Sequence, residues 1–342
     1  MGEKMSNTLQ DKINDEVQGV YLIGTTPPRA GTQSMKVTEI ANKLLSRLNP
    51  NEYDGLIVYD IQDESSRIDK PRPFKFRETI DPRVYSHLLQ QLSGVDLITY
   101  KSVAQRDEQA FKAWLDETHK FYDLQNLVLV GCPSSNGEVK LCLDKAYEVL
   151  GRHDGDFCLG GVTIAERHAT KFNEHQRILK KMASGADYFI SQAVYNPQAT
   201  IDLLTSYAET CRTHQIQAKR IILTFAPCGS EQTLAFMNWL GINVPKTTQF
   251  RILSAEDALA ESVHICCENF EKILQHCAYL DLPIGLNIES LTNRKQEIDA
   301  SVQLFRMLKL RLEQYLAQQA TNAHMIIPSE QKEPNKPQEV VR

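Results

Sequence analysis

The chain contains no apolar run approaching the roughly 20 residues that a membrane-crossing helix needs. It lacks GxGxxG and GxxxxGK[ST], the glycine-rich turns that cradle dinucleotides and phosphates at the start of open doubly wound sheets. It has no CxxC pair, so its eight cysteines, at 132, 142, 158, 211, 228, 266, 267 and 277, lack the spacing of zinc or iron–sulfur ligands, and no metal is expected. No basic stripe interrupts a formal net charge of −5, which argues against a nucleic-acid partner. The first residues, MGEKMSNTLQDKINDEV, have no apolar segment of the secretory kind. The expectation is a soluble, cytoplasmic protein with reduced thiols.

What is present is ample for a large core: 342 residues, 42% of them hydrophobic. Residues 1–16 and 319–342 are polar and read as disordered ends, since such composition buries too little apolar surface to stay folded. Between them no linker or abrupt composition shift divides the chain, so 17–318 reads as one domain.

That stretch alternates short apolar runs with longer amphipathic ones. The short runs are Gly19–Gly24, Gly55–Asp60, Val95–Tyr100, Leu127–Gly131, Phe157–Thr163, Asp187–Ser191, Arg220–Phe225 and Pro283–Ile288. They read as buried parallel strands. Helical periodicity follows each one, clearest over Lys36–Leu48, Arg83–Leu92, Asn173–Ser184, Pro197–Thr213, Ala255–Cys277 and Arg294–Leu316. Eight strand–helix units in series predict an α/β fold of the closed (β/α)8 TIM-barrel kind, in which chemistry sits where strands end.

The strand ends supply the candidates. After the first comes Thr26-Pro27-Pro28-Arg29, a stiff loop with a cation suited to an anionic ligand. After the second, Asp60, Asp63 and Glu64 crowd together near Arg67 and Lys70. Such crowding can raise one carboxyl into general-acid range, or be no more than a solvated loop. After the fourth stands Gly131, where a ligand could approach the backbone, then Cys132, a potential nucleophile or a small buried thiol. After the fifth comes Glu166-Arg167-His168, after the sixth Ser191-Gln192, and after the eighth Asn287, Glu289, Ser290, Thr292, Asn293 and Arg294. An arginine there suits a carboxylate or carbonyl, and a glutamine suits an amide-bearing heterocycle.

Four segments resemble the methylenetetrahydrofolate reductase family: Thr26–Arg29, Gly160–His168 (GGVTIAERH), Leu179–Asn196 (LKKMASGADYFISQAVYN) and Leu286–Lys295 (LNIESLTNRK). The resemblance spans about residues 17–312. It implies a flavoprotein oxidoreductase of one-carbon metabolism that passes hydride from NADH or NADPH through FAD to a methylene-folate or related pterin, commonly as a homo-oligomer. Carried over by position, Gln192 and Arg294 would hold the folate substrate, and Gly131, His168, Lys180 and Lys181 would contact the flavin. The sequence departs from the family at Gly24, where the catalytic glutamate is expected. It departs again at Val130-Gly131-Cys132, where Arg-Gly-Asp is expected, and at Tyr59-Asp60-Ile61, where Thr-Tyr-Gly is expected. The acid would then come from Asp60, Asp63 or Glu64. The alternatives are a non-redox folate-binding or regulatory homologue, and a barrel enzyme of another chemistry built on Cys132 or the acidic loop.

Overall fold

The alternation of buried runs and amphipathic ones closes, in a computed structural model, into one ring of eight parallel strands in chain order, with β1 paired to β8. The structure describes residues 8–50, 52–65, 68–132 and 139–326. The strands are β1 (Tyr21–Thr25), β2 (Gly55–Val58), β3 (Asp96–Ser102), β4 (Asn126–Val130), β5 (Cys158–Thr163), β6 (Ala186–Ala193), β7 (Arg220–Phe225) and β8 (Ile284–Glu289). Ahead of the first strand comes α1 (Leu9–Asn14), and around the strands run α2 (Ser34–Leu45), α3 (Pro82–Ser93), α4 (Glu108–Glu117), α5 (Leu143–Gly151) and α6 (Ala165–Lys171). The outer layer continues with α7 (Glu174–Ala183), α8 (Pro197–His214), α9 (Glu231–Trp239), α10 (Lys246–Ser254), α11 (Ala258–Cys277) and α12 (Lys295–Ile326).

Local chemistry sets these boundaries. Asp107, Asn196, Ser230 and Asp257 accept from free N–H groups at the starts of α4, α8, α9 and α11, and Pro82 and Pro197 open α3 and α8 where no backbone donor is needed. Strand residues alternate between two cores. Leu22, Ile57, Ile98, Val128, Tyr188 and Ile222 fill the barrel, and Leu56, Leu97, Leu127, Phe189, Leu223 and Leu286 pack against the helices.

The N-terminal end of the barrel is plugged by residues 8–16, which the sequence reading had placed in a disordered end. Thr8 caps α1 with a reciprocal Thr–Asp11 box, and Leu9 and Ile13, 2% and 3% exposed, join the interior core. Leu9 N–H donates to Asp96 at 2.7 Å and Lys12 pairs with Asp54 at 2.5 Å. Arg220, 1% exposed, donates from beneath to the carbonyls of Ile13 and Lys12 at 3.2 Å, of Ile284 at 2.9 Å, and of Asp15. The polar composition misled because only two apolar residues are needed to cork an already formed barrel. At the other end, 319–326 continue α12 rather than starting a tail. Residues 1–7 and 327–342 lie outside the described residues.

Candidate functional site

At the C-terminal end of the barrel the β1–β8 ladder sets Gly24 opposite Glu289, one layer above Leu22 opposite Asn287. Asn287 also pairs with Thr224 of β7, which puts 287 and 289 on the interior face. Gly24 leaves room for Tyr59, the residue just past β2. A Cβ at position 24 would lie 2.7 Å from both Cε2 and the hydroxyl of that ring. The glycine is therefore what allows Tyr59 to lie over the first strand, and a glutamate there would collide with it.

These residues form a connected group. Asn287 Nδ2 donates to the Tyr59 hydroxyl at 3.0 Å and to Thr224 Oγ1 at 3.1 Å. The Tyr59 hydroxyl and the Glu289 carboxyl interact with one another beside this pair. Tyr100 meets the Tyr59 ring edge-on at 4.9 Å. Burial pushes the Glu289 carboxyl above the ordinary carboxylate range, opposed by the Tyr59 hydrogen bond, and pushes the Tyr59 phenol well up as well. Glu289 nevertheless keeps part of its surface open at the mouth, whereas Asn287 is fully buried. Asn287 Oδ1 finds no partner among the described residues. The result is an aromatic-walled mouth holding a carboxyl and an amide oxygen, both acceptors.

A strap from the β2–α3 loop crosses beside this mouth. Ile80 N–H donates to the Pro28 carbonyl and Ala30 N–H to the Glu78 carbonyl, both at 2.9 Å, so the stiff proline loop is one of its anchors. The other anchor is α9: Trp239 Nε1 donates to the Lys70 carbonyl at 3.1 Å and Gln232 Nε2 to the Pro73 carbonyl at 3.0 Å. Arg72 lies over Phe76, Phe236 and Trp239, 5.0–5.4 Å from each ring centre.

In the acidic loop, Asp60 and Asp63 are committed to other contacts. Asp60 accepts from Ser102 N–H and Gln62 Nε2, each at 2.8 Å, and pairs with Lys101 at 3.4 Å. Its oxygens are already engaged, so it anchors the loop. Asp63 is exposed, and donors from the Ser65 side chain and backbone hold its carboxyl below the usual range, the opposite of what an acid needs. Glu64 is partly buried on the same turn, and Arg67 lies outside the described residues.

The two folate-side residues sit at the rim and are tied to opposite ends of α9. Gln192, at the end of β6, donates to the Leu240 carbonyl at 3.0 Å. Arg294 donates to Ser230 Oγ at 2.7 Å and Gln232 Oε1 at 2.8 Å, and faces the Phe74 ring of the strap. Gln192 also borders, with Glu166, a cavity of about 10 Å³ between β5–β7 and α8, space for a single water and no larger ligand. Burial raises the Glu166 carboxyl, which lines that cavity, whereas His168 does not.

The flavin-side residues do not converge. His168 is fully buried between α6 and α8, with Nε2 3.3 Å from Ser206 Oγ and its ring against Phe172 and His175. Desolvation, then the His175 ring, pull its pKa down, as in a packed neutral imidazole. Lys180 is exposed and pairs with Asp144 at 2.5 Å. Lys181 turns inward to the Val162 carbonyl, where burial lowers its ammonium to about 8. At Gly131 a Cβ would meet only Leu143, at an ordinary 3.5 Å, so no crowded cradle demands glycine there. These positions do not fit a shared flavin site. Cys132 is partly exposed at the end of β4, while burial raises the thiols of Cys158, Cys266 and Cys277 to about 12, as expected of inert core residues. Among the described residues no group of three or more His, Cys, Asp or Glu could hold a metal ion, and no helix is long and apolar enough to cross a membrane.

Sequence reasoning named Glu289 and gave it no role. A glutamate directly ending a buried strand of this barrel was the available signal.

Among solved structures, the chain is similar to an uncharacterized protein from Clostridium thermocellum that binds two copies of 5-methyl-5,6,7,8-tetrahydrofolic acid. The two are 34% identical, with a TM-score of 0.77, and the match covers 90% of this chain and 100% of that one. An N-(5'-phosphoribosyl)anthranilate isomerase from Pyrococcus furiosus is 11% identical with a TM-score of 0.41, covering 84% of this chain and 99% of that one. No family model matches the chain, and no curated protein does.

Proposed function

The chain belongs to the same family as the Clostridium thermocellum protein, and from that premise we propose that it binds a reduced folate at the mouth of its barrel and acts on the one-carbon unit. The observation that carries this is the folate binding of a protein 34% identical over its whole length. The mouth supports it: an aromatic wall, Glu289 and Asn287 as acceptors, and Arg294 and Gln192 at the rim. A pterin is a flat ring edged with N–H groups, and its glutamate tail is anionic, so each part has a matching element here.

The reductase-like reaction, hydride from NADH or NADPH to a methylene-folate, is the finer reading. FAD is assigned no place, because His168, Lys180 and Lys181 lie on the helical layer and no crowded cradle demands glycine at Gly131. The second reading, a folate-binding protein without redox activity, draws on the same geometry.

Calorimetric titration with 5-methyltetrahydrofolate should give saturable binding, and its absence would overturn the proposal. Loss of NADH or NADPH absorbance on adding methylenetetrahydrofolate would then favour the reductase reading, and binding without that loss the non-redox one.

A further inference from the structure

Acceptors outnumber donors at the mouth. The Asn287 amide hydrogens are used on Tyr59 and Thr224, and the Tyr59 hydroxyl, which accepts from Asn287, also interacts with Glu289. What remains for a ligand is the Glu289 carboxyl, partly open to the cleft, and the fully buried Asn287 Oδ1. A polar atom buried without a partner is costly, so the ligand that stabilises this pair best brings donors. The two residues alternate on one strand and face the same interior, with Gly24 and the Tyr59 ring forming the adjacent wall.

We propose that Glu289 grips the donor edge of the pterin, its carboxylate accepting together from the ring amide N–H and the neighbouring 2-amino group, with Tyr59 fixing the carboxylate from behind. This inference rests on the folate-binding reading and names the residue that recognises the ring. Two parallel N–H···O bonds to a planar carboxylate give orientation as well as affinity. They leave the opposite side of the ring and its one-carbon unit facing the rest of the mouth. An ordinary surface glutamate would not do this, because water would compete for both oxygens. The enclosed position beside Tyr59 and Tyr100 removes that competition.

The discriminating probes are pieces of the ligand. Glu289→Gln replaces one acceptor oxygen by a donor that opposes the ring's own donors. It should weaken both 5-methyltetrahydrofolate and 6-methyltetrahydropterin by about 10- to 100-fold, and leave the affinity of 4-aminobenzoylglutamate, which lacks the pterin, unchanged. On the unmodified protein, 6-methyltetrahydropterin should bind at least about tenfold more tightly than the matching tetrahydrolumazine, in which a carbonyl replaces the 2-amino group. That comparison holds even if the variant fails to fold. If the wild type binds 5-methyltetrahydrofolate, yet the variant binds it equally well or lumazine and pterin bind alike, the grip by Glu289 is overturned while the folate reading stands. If the wild type binds no folate, the folate reading itself falls.

Discussion

Arg220→Ala should lower the thermal midpoint by on the order of 10 °C, one of the largest effects of any single substitution in this chain. Arg220 is a buried cation at the closed end of the barrel, and its guanidinium donates to four backbone carbonyls, three of them from the first helix and its exit. Alanine removes those donors, strands the carbonyls away from water and opens a cavity under β7. Losses of that kind cost about 3–5 kcal/mol. Burial also lowers the guanidinium to about 10, so the group stays charged through the neutral range and the network is not a pH switch. Arg220→Lys should recover part of the loss, since an ammonium reaches fewer of the carbonyls. Melting followed by circular dichroism checks this, and a midpoint within about 2 °C of wild type would mean that α1 and β7 hold without the arginine.

Gly24→Val should leave the barrel folded and weaken reduced-folate binding roughly 5- to 150-fold, the equivalent of about 1–3 kcal/mol of overpacking strain. Even a first added carbon at position 24 would meet the Tyr59 hydroxyl and ring at 2.7 Å. That ring is the movable partner, so it should swing away instead of breaking the strand. Its hydrogen bonds to Asn287 and Glu289 would go with it. Stability is then largely kept while the mouth is disassembled. Folate titration alongside thermal melting separates the two, and unchanged affinity would show that the placement of Tyr59 is irrelevant to the ligand.

Much of the fold was legible because its signal is repeated eight times. A run such as RIILTF is buried on both faces, and only a barrel or a covered parallel sheet offers that. The pieces that escaped are those whose signal is small. α1 contributes two apolar residues, α10 buries only Ile252, and the strap holds by backbone hydrogen bonds and stacking that no periodicity announces. The site was legible in part. Strand-end reading placed Gln192, Arg294 and Glu289 at the C-terminal end of the barrel, where the structure also has them. It could not tell that α6 begins directly after β5, which turns Ala165 and His168, one helical step apart, inward against α8. Nor could it tell that the lysine pair would divide, Lys180 to the surface and Lys181 to a strand carbonyl. Asp60 and Asp63 looked like acids because they were close in sequence, and their hydrogen bonds give them other work. The resemblance directed attention to a missing glutamate at position 24, while a carboxyl stood one strand away, across the β1–β8 ladder.

The most direct measurement is a crystal structure of the chain with 5-methyltetrahydrofolate. A folate-binding mouth predicts the pterin ring at the C-terminal ends of β8 and β1, its amide N–H and 2-amino group within hydrogen-bonding distance of the Glu289 carboxylate. Folate seated elsewhere, with no bound copy within reach of Glu289, would contradict it.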